Sequence, residues 1–245
     1  MLNTIFKHIG LAVLRTFDFL VATFTANKEV LDENDFPFNQ MLRDNYPVFL
    51  KEYNLMLSQN QLSDGKDFYK IETDLHQEDN WKAAPIVLFG YVLKESANTC
   101  PETFKIVSQL PGCQAAMFLS LGAGKHVPPH SGIYKGIYRC LLTLQVQENA
   151  DCWIRVNKQK IYFKTGETVV FDETVEHEVM NASSAPRVVL YLDFYRRLPF
   201  PLNVLNYIVF NLLRKSPFVA TILNEYKKQK PTEIEEFNAP PAVLR

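Results

Sequence analysis

Between Gln114 and Tyr195 the chain is built from short apolar runs cut by turn chemistry, and this limits what it can fold into more than any other feature. The runs are Ala115 to Leu121, Tyr138 to Val146, Cys152 to Val156, Lys160 to Phe163, Thr168 to Phe171 and Arg187 to Phe194. Gly122, Gly124, Asn149 to Asp151, Asn157-Lys158 and Thr165-Gly166 separate them. Many short strands at such spacing predict an antiparallel sandwich or barrel.

The flanks read differently. Residues 1 to about 60 carry a helical pattern. Asn45-Tyr46-Pro47 marks a helix start, with Phe49, Leu50, Tyr53 and Leu57 at helical spacing. Residues 61 to 110 mix polar turns with a buried run from Pro85 to Tyr91. The last zone returns to helix. Leu202, Leu205, Val209 and Leu212 are expected on one face, and Asn203, Tyr207, Asn211 and Arg214 on the other. Ser216-Pro217 starts a second helix. The expected organisation is a helical segment over 1–60, a β domain over 61–198 and amphipathic helices over 199–245, all in one structural unit.

Composition excludes several classes. A formal net charge of -1 and a pI near 6.5 offer no basic excess to neutralise nucleic-acid phosphates. Cys100, Cys113, Cys140 and Cys152 are widely spaced without a Cys-x-x-Cys, so free thiols are expected rather than structural zinc. Ile9 to Phe24 is interrupted by Arg15 and Asp18, too soon for a span that needs ~20 apolar residues. No clean small-residue cleavage site follows it. A cytoplasmic protein is expected, with terminal helices that either pack on the core or lie on a membrane surface.

Two of the five histidines stand out. Pro128 and Pro129 cannot donate to a sheet ladder, so His130 sits where pairing ends. His177 follows an acidic turn after a strand. Both therefore fall at strand mouths, where pockets of small barrels lie. Two neutral imidazoles can hold Fe(II) with positions open, and a buried Arg187 could clamp a carboxylate such as that of 2-oxoglutarate. A lone histidine is more often a hydrogen-bonded core residue, and Arg187 or Arg139 could equally be a structural ion pair. The third ligand of a facial triad would be an acid two residues after the first histidine, where this chain has Gly132. Asp172 or Glu176 could replace it, or water could complete a two-histidine site. His126 is expected to be a pocket wall or structural residue.

The stretch from Trp81 to Pro199 resembles the aspartyl/asparaginyl β-hydroxylase family, a branch of the 2-oxoglutarate oxygenases. The resemblance rests on Pro129-His130-Ser131-Gly132, Tyr138-Arg139, the run from Gly166 through Glu176-His177-Glu178-Val179, and Arg187. The family lacks the carboxylate ligand, so Gly132 is a match. The resemblance implies a double-stranded β-helix (a cupin-like jelly roll) with His130 and His177 as metal ligands. It implies Fe(II), 2-oxoglutarate and O2 as cofactor and cosubstrates, with Arg187 on the distal carboxylate and Arg139 as a further contact. One departure is Leu141, where the family usually has histidine. The substrate class implied is a peptidyl Asp/Asn side chain or, from the looser likeness of the tail after Arg197 to bacterial members, a lipid acyl chain. The alternatives are a cupin-like metal protein with another reaction and an inactive binding module.

Overall fold

The computed structural model describes residues 2–32, 35–64 and 81–237. In chain order the helices are α1 (Leu2–Phe24), α2 (Asn39–Asp44), α3 (Tyr46–Ser58), α4 (Lys94–Thr99), α5 (Pro101–Ser108), α6 (Leu202–Arg214) and α7 (Pro217–Gln229). The strands are β1 (Ser63–Asp64), β2 (Trp81–Leu88), β3 (Tyr91–Leu93), β4 (Cys113–Leu121), β5 (Lys125–His130), β6 (Ile137–Gln145), β7 (Cys152–Val156), β8 (Gln159–Tyr162), β9 (Thr168–Phe171), β10 (His177–Asn181), β11 (Arg187–Tyr195) and β12 (Ile234–Glu236).

The apolar runs become strands close to where the sequence sets them, and all pair antiparallel. One sheet runs β12-β3-β2-β4-β11-β6-β9, and the other runs β5-β10-β7-β8. Numbered from β4 onward, the shared core reads first-eighth-third-sixth in one sheet and second-seventh-fourth-fifth in the other. That order is two Greek keys wound into a jelly roll, the double-stranded β-helix expected. β2, β3 and β12 extend the larger sheet.

Burial on both faces explains why the large-sheet strands read as continuous apolar runs. Along β11, Val188, Leu190, Leu192 and Phe194 point to one core, while Val189 and Tyr191 point to the other. The first core lies under the helical cover, where Phe49, Tyr53 and Met56 of α3 meet Phe118, Leu142 and Leu190. The second lies between the sheets and holds Met117, Leu119, Leu141 and Ile154. A third joins α1 to α6 through Leu14, Phe17, Val21, Val209 and Phe210.

Two expected helix faces change. On α3, Met56 is buried and Leu57 is exposed. On α6, the inward residues are Leu202, Asn206, Val209 and Phe210, while Leu212 faces outward. Asn206 turns inward because buried polar groups await it. Its Nδ2 donates to the Gly136 carbonyl at 2.8 Å, and the Tyr134 hydroxyl donates to its backbone oxygen at 3.0 Å and also to its Oδ1. A Cβ at Gly136 would collide with this amide. The asparagine thus fastens α6 to the segment that joins His130 to β6. Asn206→Ala should cost about 1–3 kcal/mol by unpairing these groups, read from the urea midpoint at unchanged m-value.

Candidate active site

His130 ends β5 and His177 begins β10, and the two are register partners across the ladder. Their ring centroids lie 4.2 Å apart. The pairing register shifts between His177 and Val179: Val127 pairs with Val179, but His130 pairs with His177. Three residues of β5 thus face two of β10, so the surplus residue falls at Pro128-Pro129. The bulge reverses parity along β5. Both Val127 and His130 face the cavity, while His126 turns outward to Glu178 at 2.7 Å. His126 is therefore a structural residue and does not line the cavity.

The two imidazoles are held alike. His130 Nδ1 donates to the Pro128 carbonyl and His177 Nδ1 to the Val175 carbonyl, each at 2.8 Å. A carbonyl only accepts, so each Nδ1 carries a proton, and in a neutral ring the lone pair then lies on Nε2. Burial, reinforced by the neighbouring His130, pulls the His177 pKa down to about 3, which keeps the ring neutral. A neutral imidazole with a fixed tautomer is a ready metal ligand. Among the described residues, no group of three or more His, Cys, Asp or Glu side chains is placed to hold a metal ion.

Neither acid named as a substitute ligand serves. Asp172 is buried against Lys135 at 2.6 Å and Arg196 at 2.8 Å. Glu176 lies outside, on Arg155. The acid that reaches this corner is Glu173, which sequence reading missed. Its backbone oxygen accepts from Gly132 N at 2.7 Å, and its carboxylate fills the space beside Gly132. A Cβ at position 132 would stand 2.6 and 2.7 Å from the two carboxylate oxygens. No single-residue motif reveals this, because Glu173 arrives from another strand end.

The two arginines differ. Arg139 is saturated: its Nε and Nη2 meet Asp193 at 3.0 and 3.2 Å, and Nη2 also pairs with Glu173. Its guanidinium stacks 4.4 Å from the Tyr191 ring centroid. The ion-pair reading is thus realised for Arg139. For Arg187 it is not. Arg187 opens β11 only 4% exposed, with its guanidinium 4.7 Å from the Phe163 ring centroid and its Nε without a hydrogen-bond partner. No carboxylate pairs with it among the described residues. Burial pulls its pKa down to about 10, so it remains cationic at neutral pH. A buried cation without an anion is costly, and this one lines the cavity wall.

Both histidines, both arginines, Gly132 and Glu173 line one cavity of about 210 Å³. Its lining includes the apolar side chains of Met117, Leu119, Leu141, Ile154 and Val179. Leu141 lies opposite Tyr191 on β11. The two C-terminal helices also contribute to the lining, with Phe210 and Leu213 of α6 and Phe218 and Ile222 of α7. Because Glu173 fills the corner, Gly132→Asp should not create a third ligand. It should instead displace Glu173 and lower stability by about 1–3 kcal/mol, without raising metal affinity in a titration.

Residues 43–197 match the family model described as aspartyl/asparaginyl beta-hydroxylase. The ornithine lipid ester-linked acyl 2-hydroxylase of Rhizobium tropici is 32% identical over 204 residues, covering 82% of this chain and 73% of that protein. The aspartyl/asparaginyl beta-hydroxylase of Homo sapiens is 23% identical over 133 residues, covering 52% of this chain and 17% of that protein. Among solved structures, the cupin domain of an XRE-family transcriptional regulator from Enterobacter cloacae covers 49% of this chain and 100% of its own, at 11% identity and a TM-score of 0.34. With more than half of its length matched by the family model, this chain belongs to the aspartyl/asparaginyl β-hydroxylase family.

Proposed function

We propose that the protein is an Fe(II)- and 2-oxoglutarate-dependent hydroxylase that acts on an unactivated C–H bond of a lipid acyl chain. The observation that carries this reading is the buried Arg187, which meets no carboxylate among the described residues, in the same cavity as two imidazoles whose Nδ1 atoms are both tied to backbone carbonyls. His130 and His177 would hold the metal, and Arg187 would take the distal carboxylate of the cosubstrate. A ferrous ion with 2-oxoglutarate and O2 supplies hydroxylation coupled to oxidative decarboxylation, which yields succinate. The protein contributes orientation and a dry cavity.

The substrate class follows from what the cavity leaves unsatisfied. An Asp or Asn side chain needs polar partners. The cation suited to it, Arg139, is already neutralised by Asp193 and Glu173. Most of the cavity lining is apolar, which matches a hydrocarbon chain. The relative with the broader coverage is by name an acyl hydroxylase.

The direct test supplies Fe(II), 2-oxoglutarate and O2 with acyl lipids and with Asp/Asn peptides. Acyl chains should gain one oxygen with matching succinate release. Oxygen gain in the peptides alone would move the substrate to a side chain, and metal binding without succinate would leave an inactive or differently reacting cupin-like module. Three variants sharpen it. His130→Ala and His177→Ala should each abolish stable iron binding, because two ligands leave no redundancy; titration with Fe(II) or a spectroscopic surrogate reads this. Arg187→Met should weaken 2-oxoglutarate binding by ~2–5 kcal/mol and keep the metal. Because it removes an unpaired buried charge, the same variant should leave the ligand-free protein as stable or up to ~4 kcal/mol more stable. A loss of stability in Arg187→Met would return the arginine to a structural role.

A further inference from the structure

We infer that the outer face of α6, with α1 beside it, docks on an anionic lipid bilayer and sets the cavity mouth at its surface. The inference deepens the acyl-chain reading and rests on it for its purpose. Its first support is exposure. Phe200 is 82% exposed, Tyr207 63%, Leu212 61% and Ile208 49%, and Phe19 on α1 is 67% exposed. Apart from Phe200, just ahead of α6, these side chains sit on two helices packed against one another.

Charge is the second support. The chain as a whole is nearly neutral, yet no Asp or Glu occurs from Phe194 to Asn224. Arg197 and Lys215 flank α6 and are exposed, and Arg15 is exposed on α1. The single acid of α1, Asp18, is partly buried and accepts from Lys135 N at 2.8 Å. An apolar face edged by cations, with Glu236 paired to Arg214 at the end of α6, suits anionic lipid. No helix among the described residues is long and apolar enough to cross a membrane, so contact would be interfacial.

Continuity is the third. α6 is also a wall of the cavity through Phe210 and Leu213. Ile133 lines the cavity and is 46% exposed, which places an opening beside this helix. The Asn206–Tyr134–Gly136 bonds fix α6 to that opening. A bilayer on this face therefore meets the mouth in a fixed position, and an acyl chain can enter without crossing water.

The test is flotation of the full chain with phosphatidylcholine vesicles, with and without phosphatidylglycerol, at low and moderate salt. The wild type should float with the anionic vesicles and bind phosphatidylcholine alone at least about fivefold more weakly, the effect of one basic residue near the surface. Ile208→Glu with Leu212→Glu should stay behind at an unchanged melting temperature, since both side chains are exposed. That variant should still hydroxylate an acyl substrate dispersed in detergent. Failure of the wild type to float, or flotation of the variant like wild type, overturns the inference. So does a concentration-dependent dimer that the variant dissociates, because the face would then belong to a second copy. A wild type that floats but leaves every acyl substrate unoxidised keeps the docking surface and removes the acyl-chain reading.

Discussion

The short ladder between β5 and β10, with its bulge at Pro128-Pro129, is what the site depends on. An extended chain sends alternate side chains to opposite faces, so His126 and His130 would share a face in a regular strand. The extra residue breaks that rule. It leaves His126 outside on Glu178 and turns His130 inward to meet His177. Prolines are tolerated there because β5 is the edge of its sheet and has no partner on its other side. The jelly-roll winding then places β5 and β10 side by side, although β6 to β9 separate them in sequence.

Electrostatics give the cavity a second constraint. Its walls hold two guanidinium groups and two carboxylates, formally balanced, but the carboxylates both serve Arg139. The imbalance is therefore spatial: among the described residues one cation is doubly paired and the other meets no carboxylate. In the proposed reading, a divalent metal adds two positive charges near the imidazoles, and a dianionic cosubstrate returns the total to balance. Metal and cosubstrate would each reduce the cost of holding the other, while Arg139 stays fixed by Asp193 and Tyr191.

Much of the fold was legible because the large-sheet strands are buried on both faces, so their apolar runs are long and end at real turns. The double burial of β4 and β11 is visible as the apolar runs Ala115 to Leu119 and Val188 to Leu192. β5 was harder, since Lys125 to His130 has only one strongly apolar residue and carries two prolines. The histidine pair could be suspected from strand-end position, and Arg187 from a charge on an apolar strand. Glu173 could not, because it acts through its fit against Gly132, a contact between segments distant in sequence. The α6 anchor also escaped: Asn206 falls between Leu202 and Val209 on the inward face, but nothing in the sequence shows that Tyr134 and Gly136 hold it there.

That inward asparagine links the chemistry to the surface. Turning Asn206 into the core rotates α6 so that Val204, Tyr207, Ile208 and Leu212 face out. The same rotation aims Phe210 and Leu213 into the cavity. One helix thus exposes an apolar stripe and supplies an apolar wall, an arrangement that a helix serving only to cover a core does not need. Leu141 extends the apolar surface on the large sheet, across from Tyr191 and Val169. A histidine there would place a polar group in the middle of that surface. In the proposed reading, the leucine there and the outward stripe on α6 would both serve one requirement: an apolar route for a hydrocarbon chain from the surface toward the paired imidazoles.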